Sequence, residues 1–375
     1  MGPSGRVRAF TAALVVALVG LTAFAAAASA LPARFWGIVP QAHPNEEQFQ
    51  RLQKGGVKSM RIALDWTSLQ PSKGATIDWA GIDVMVERGA KHDIEMLPFL
   101  TGAPKWAVPS IFVPGDPNAK APAHLPAAGA GATAWSSFVK AAVARYGSTG
   151  SFWAENPGVP KRPIKVWQIW NEQNFKYFVA KPNPAEYGRL VKLSYSAIKS
   201  VDPAGQVLLG GLFSYPKGCA KEKRPKSICA TEFLEQMYKK TPGIKNKFSA
   251  VALHPYTGRY QELNYYVQEF RDVLVRSKDP GKGIWITELG WSSKPVDPTR
   301  NIFAKGVAGQ ATQLKGAFTM LRNKQAKWKI QRVYWFSVDD AEGTCNFCDG
   351  SGLFAAGFVP KKAWYSYVKF AGGTP

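Results

Sequence analysis

The chain of 375 residues reads as a single-domain α/β protein, a (β/α)8 TIM barrel behind an N-terminal signal segment. Two observations predict this fold: short apolar runs alternate with stretches of helical spacing, and the runs number eight. Alternation implies a parallel sheet, because each parallel crossover must travel back over the sheet, usually as a helix.

In chain order the strands fall at 35–39, 59–64, 95–100, 166–170, 206–210, 250–253, 284–287 and 332–337. Helical spacing covers 82–91, 134–146, 184–201, 231–240, 263–277 and 304–323, and 362–370 ends the series. Eight such units close into a barrel, and the near-continuous apolarity of the runs suits strands buried on both faces. A doubly wound open sheet is the competing architecture. It normally brings a glycine-rich phosphate turn after the first strand, and Val39-Pro40-Gln41-Ala42-His43 is not one. The segment 121–132, rich in Ala, Gly and Pro, reads as a long loop before a helix.

At the N-terminus Arg6 and Arg8 precede an uncharged run over 9–28 and the small-residue triplet Ala28-Ser29-Ala30, the pattern of a cleaved secretory signal over 1–30. An uncleaved membrane anchor competes, since the run approaches the roughly 20 residues that span a bilayer. The mature domain is then 31–375, secreted or held at the cell envelope. In an exported chain the close pairs Cys219/Cys229 and Cys345/Cys348 suggest two local disulfides. Zinc is the alternative for Cys345-Asn346-Phe347-Cys348, but its partner pair has the wrong spacing and no nearby histidine. The metal reading is therefore none.

Formal charge is +22, or +20 without Arg6 and Arg8. Such a field attracts polyanions through screened long-range forces. The lysines and arginines are nevertheless scattered, and no compact nucleic-acid motif accompanies them. A solubilising surface and an anionic ligand both remain open.

The chemistry concentrates at strand ends, where barrels of this kind place their sites. Trp167-Gln168-Ile169-Trp170-Asn171-Glu172 ends the fourth strand, and Trp285-Ile286-Thr287-Glu288 ends the seventh. A carboxyl group at the tip of a buried strand is costly to desolvate unless its surroundings use it. Two together suggest a reacting pair, and paired glutamates are the machinery of glycosidic bond cleavage. The second strand carries Arg61 and runs on into Asp65-Trp66, the sixth ends in His254-Pro255-Tyr256, and the eighth holds Tyr334-Trp335-Phe336.

On these motifs the chain resembles clan A of the retaining glycoside hydrolases, over residues 31–375. Asp65-Trp66-Thr67-Ser68-Leu69-Gln70-Pro71 and Trp170-Asn171-Glu172-Gln173-Asn174 look most like the family 39 group of xylosidases and exopolysaccharide endoglycosidases. Family 5 cellulases share the His-x-Tyr of the sixth strand. The resemblance implies Glu172 as general acid/base, Glu288 as nucleophile, and no cofactor. It implies that Arg61 favours ionised Glu288, Asn171 holds the sugar 2-hydroxyl and Tyr256 hydrogen-bonds Glu288. It also implies that His254 steadies a substrate hydroxyl and Trp335 floors the sugar site. Gln173 departs from the proline usual there.

Trp36, Trp66, Trp106 and Trp291 lie near strand ends, where either sugar subsites or barrel packing explains them. Asp339, Asp340 and Glu342 follow the eighth strand as candidate contacts to substrate hydroxyls, and Asp349-Gly350 is a turn or a weak calcium loop. The expected partner is a poly- or oligosaccharide, anionic or neutral, taken by a monomer. Two further classes compete: a carbohydrate-binding barrel without turnover, and a basic secreted adhesin.

Overall fold

The computed structural model describes residues 1–2, 30–108, 124–214, 227–297, 301–341 and 348–375. Residues 3–29 of the signal segment, Cys219, Cys345 and Glu342 therefore lie outside the described residues. By contacts the chain separates into Met1–Ala30 and Leu31–Pro375, and all the described helices and strands belong to the second unit.

The elements run β1 (Trp36–Val39), α1 (Glu46–Lys54), β2 (Ser59–Asp65), α2 (Trp66–Leu69), α3 (Ala80–Lys91), β3 (Glu95–Thr101), α4 (Gly129–Tyr146), α5 (Ser151–Glu155) and β4 (Val166–Ile169). Then come α6 (Pro184–Val201), β5 (Gln206–Leu209), the short β6 (Leu212–Phe213), α7 (Ala230–Lys240), β7 (Ala250–His254) and α8 (Leu263–Arg276). The chain ends with β8 (Gly283–Leu289), α9 (Gly306–Asn323), α10 (Gln325–Trp328), β9 (Ile330–Phe336), β10 (Phe354–Ala355), β11 (Val359–Pro360) and α11 (Lys362–Ala371).

All barrel pairings are parallel: β1 joins β2 and β9, the order continues through β3, β4 and β5 on one side and β8 and β7 on the other, and β5 pairs with β7 to close the ring. With β6 as a two-residue spur on β7, eight strands form the closed barrel that the alternation predicts.

Period-two alternation divides the strand side chains between two cores. Val39, Leu97, Leu208, Ala250, Ala252, Trp285 and Tyr334 fill the barrel interior, joined by half-buried Val166 and Phe336. The residues between them, Ile38, Met60, Ile169, Ile286 and Trp335 among these, pack outward against the helices. Those helices answer with apolar stripes, as in α8, where Leu263, Val267, Phe270, Val273 and Leu274 recur at helical spacing. Their starts are capped where the sequence supplies the groups. Asn45 and Gln48 form a capping box on α1, and Asn183 followed by Pro184 opens α6.

Among the described residues, no helix is long and apolar enough to cross a membrane. Cys229 and Cys348 are not free thiols.

Candidate active site

Glu172 and Glu288 meet at the carboxyl end of the barrel, brought there by β4 and β8. One oxygen of each and a ring nitrogen of His254 lie within 4.8 Å of one another. All three residues are buried. The chain turns sharply to achieve this, with Trp170 at φ 71° and Glu172 at φ 43°, left-handed conformations that a non-glycine residue adopts at a cost and that cluster at functional sites. The turn is pinned by Glu172 N donating to Gly211 O at 3.0 Å, and by Asn174 exchanging hydrogen bonds with Phe213 and Ile228.

Arg61 reaches in from β2 with no solvent exposure. Its guanidinium donates to Glu288 Oε1 at 2.6 Å, to Asn171 Oδ1 at 2.7 Å and to Gln168 Oε1 at 2.6 Å, and lies 3.9 Å from the centroid of Phe99. Burial lowers its pKa while Glu288 opposes the shift. Tyr256 donates to the other oxygen of Glu288 at 2.8 Å, and its phenol is pushed up first by burial and then by Glu288 and Glu172. Asn171 spends its carbonyl on Arg61, which leaves Nδ2 directed elsewhere.

Glu172 sits in a different field. Burial raises its pKa well above the usual carboxylate value, and the negative Glu288 raises it further against the pull of Arg61. Its Oε1 lies 2.8 Å from His254 Nδ1, and His254 Nε2 lies 2.9 Å from Thr287 Oγ1. Burial, reinforced by Arg61, holds the imidazole well below its ordinary pKa and so neutral. Gly211 makes room for this ring, since a Cβ there would fall 1.9 Å from Nε2.

Two expectations need correction. His254 spends both ring nitrogens on Glu172 and Thr287 and is fully buried, so it holds Glu172 rather than a substrate hydroxyl. Trp335 is also fully buried, with its indole N–H donating to Ser351 O, and it packs on Trp291 and Phe318. Strand alternation turns Trp335 outward and Phe336 inward, where the Phe336 ring stands 6.5 Å from Tyr256. Phe336, Phe213 and Phe303, all half-buried, surround Tyr256.

Of the other tryptophans, Trp36, Trp66 and Trp291 are buried in the core, and Trp106 is partly exposed. Asp340 is held by Lys361 and Gly352 N, whereas Asp339 is half-buried with a pKa raised by burial. Sequence reasoning missed Gln168 and Thr287, both fully buried at the strand ends. The available signal was a polar side chain within an apolar run. Glu172, His254 and Glu288 have a spacing that suits a metal, yet both nitrogens of His254 are engaged and Arg61 already places a cation on Glu288.

The family model for the glycosyl hydrolase catalytic core matches residues 213–360. A curated relative, a β-xylosidase of Geobacillus stearothermophilus, is 24% identical over 243 residues, 59% of this chain and 44% of that protein. The chain thus spans less than half of that relative's length. Among solved structures, a family 39 glycoside hydrolase from Bacteroides cellulosilyticus is similar with a TM-score of 0.60 and 18% identity, covering 91% of this chain and 64% of that one. A family 39 β-xylosidase from Caulobacter crescentus is similar with a TM-score of 0.60 and 20% identity, covering 90% and 72% respectively. The chain is thus similar to glycosyl hydrolases over its catalytic core, to a β-xylosidase in sequence and to family 39 glycoside hydrolases in its barrel fold.

Proposed function

We propose that the chain is a retaining glycoside hydrolase that cleaves O-glycosidic bonds of a poly- or oligosaccharide by double displacement. The observation that carries this reading is the closeness of the two carboxylates, one oxygen of each lying within 4.8 Å of the other. Retaining enzymes hold the pair about 5–5.5 Å apart, whereas inverting ones need roughly 6.5–9.5 Å to admit water between them.

The environments divide the labour. Glu288, paired with Arg61 and Tyr256, is the nucleophile: an oxygen attacks the anomeric carbon as the bond to the leaving oxygen breaks. Glu172, kept protonated by burial and by its neighbour's charge, gives its proton to that oxygen. Esterification of Glu288 removes the repelling charge, so the pKa of Glu172 falls. The resulting carboxylate takes a proton from water, which attacks the anomeric carbon and frees Glu288. Asn171 Nδ2 serves the sugar 2-hydroxyl, and Phe336 takes the place of Trp335 as the apolar face beneath the ring.

The same reading makes the enzyme a secreted monomer with Cys219 joined to Cys229 and Cys345 to Cys348. A xylosidase-type substrate is suggested by the relatives alone. NMR of the first-formed sugar from an aryl glycoside panel tests the mechanism. Retained anomeric configuration, lost altogether in Glu288→Gln, is expected. An inverted product overturns it, and absence of turnover on every glycoside favours a binding barrel instead.

A further inference from the structure

The positive charge of this chain is unevenly neutralised. Some cations at the amino end of the barrel and on the helical ring are matched: Arg34, Lys58 and Arg162 pair with Asp93, Arg332 with Glu95, and Arg145 with Asp83. On the loop that follows Glu172, Lys176 and Lys181 are exposed and make no ion pair with a described residue. Charges left free at the mouth of a cleft act on whatever enters it, and low-dielectric walls focus their field.

Aromatic rings accompany those charges. Tyr256, which holds Glu288, lies 6.1 Å from Phe213. Phe213 stacks on Phe175 at 4.7 Å and 11°, and Phe175 meets Tyr177 edge-on at 4.8 Å. The series runs from the nucleophile's partner outward to Tyr177, which is 50% exposed and has Lys176 Nζ 5.2 Å from its ring centroid. An exposed ring offers a stacking face for a pyranose, and an ammonium lying over the ring on a flexible stem offers a counter-ion for an anionic substituent on the same sugar.

We propose that residues 175–181 form a leaving-group subsite for an acidic sugar unit, with Tyr177 stacking on the ring and Lys176 and Lys181 pairing with its carboxylate or sulfate. The inference rests on the reading of Glu172 as the acid that faces the leaving group, since this loop begins at Glu172: Phe175 N donates to Glu172 O at 2.8 Å. It makes the substrate a negatively charged glycan, with the charged unit on the side that departs first.

The test measures binding of the full chain to glucuronic acid-bearing xylan oligosaccharides, to their carboxyl-reduced counterparts and to a sulfated xylan. Lys176→Gln is expected to weaken binding of the acidic oligosaccharides about two- to fivefold at low salt and to leave the reduced ones unchanged. Tyr177→Ala should weaken both, and Lys140→Gln, the same charge change on exposed α4, should weaken neither. Preference between the uronate and sulfated ligands identifies the anion. Equal losses with Lys176→Gln and Lys140→Gln, or equal losses on acidic and reduced ligands, overturn the subsite. Such a result alongside retained-configuration hydrolysis of a neutral aryl glycoside leaves the catalytic reading standing, whereas the expected contrast without hydrolysis leaves only the subsite.

Discussion

Nδ1 of His254 lies 2.8 Å from Oε1 of Glu172, so the tautomer of His254 sets which oxygen of a protonated Glu172 carries the proton. Gln168 has its carbonyl fixed by Arg61, so its amide nitrogen must donate to Thr287 Oγ1 at 3.2 Å. The Thr287 hydroxyl then has its own proton to give to His254 Nε2, 2.9 Å away. A neutral imidazole that accepts at Nε2 donates at Nδ1. In that tautomer Oε1 of Glu172 is an acceptor, and a proton on Glu172 sits on Oε2. Gln168 and Thr287 connect Arg61 to His254 through a chain of hydrogen bonds.

Thr287→Val tests that chain. It preserves shape but strips His254 Nε2 of its partner and the Gln168 amide of one of its two, the other being Leu209 O, at a cost of about 1–3 kcal/mol in stability by urea unfolding. With the tautomer released, Nδ1 can accept from Glu172 and draw its proton away from the cleft. Turnover of substrates with poor leaving groups should fall far more than that of aryl glycosides with acidic phenols, with KM little changed. Thr287→Ser should restore both. Equal losses for the two leaving groups would show that the hydroxyl matters only for stability.

The raised pKa of Glu172 has a sign that can be followed in stability. Desolvation, then Glu288, makes the native state hold this proton after the unfolded chain, near 4.5, has released it. The contribution is present in full below pH 4.5 and is lost as pH rises through the native value. Glu172→Gln imitates the protonated acid at every pH. Its melting temperature should therefore gain on the wild type as pH climbs from 4.5, and the gain should level off where the alkaline limb of kcat/KM falls. A gap that stays constant with pH would show that Glu172 ionises normally.

Arg61 binds three partners that no single shorter cation can reach together. Arg61→Gln should destabilise by about 3–5 kcal/mol, because it leaves Glu288 a buried charge without its counter-ion, and should abolish turnover. Adding Glu288→Gln removes that charge. The double variant should recover most of the stability and none of the activity, and additive losses in the cycle would contradict a direct coupling.

The barrel was legible because its period is crude: all eight runs and all seven helical stretches named from the sequence coincide with elements of the structure. The two glutamates were legible for a related reason, as charges at the ends of apolar runs. Orientation was not. Whether Trp335 or Phe336 faces the interior depends on a one-residue register that continuous apolarity conceals, since both faces of a barrel strand are buried. The engagement of both His254 nitrogens depends on Thr287 and Gln168, 33 residues downstream and 86 upstream, and only the closed ring brings them together.

That one-residue register supplies the last test. Trp335 fills space between β9 and α9 and Phe336 stands among the rings around Tyr256, so truncating each should damage a different property. Trp335→Ala should cost about 3–5 kcal/mol through the cavity it leaves, with kcat and KM of the folded protein close to wild type at a temperature well below melting. Phe336→Ala removes an apolar face beside the nucleophile's partner. It should raise KM for glycosides and lower kcat/KM by roughly tenfold, the equivalent of about 1.4 kcal/mol of transition-state stabilisation. Phe336→Trp should retain substantial activity, since it keeps a flat apolar surface. If Trp335→Ala instead raises KM while Phe336→Ala affects stability alone, the inward and outward assignments along β9 are reversed.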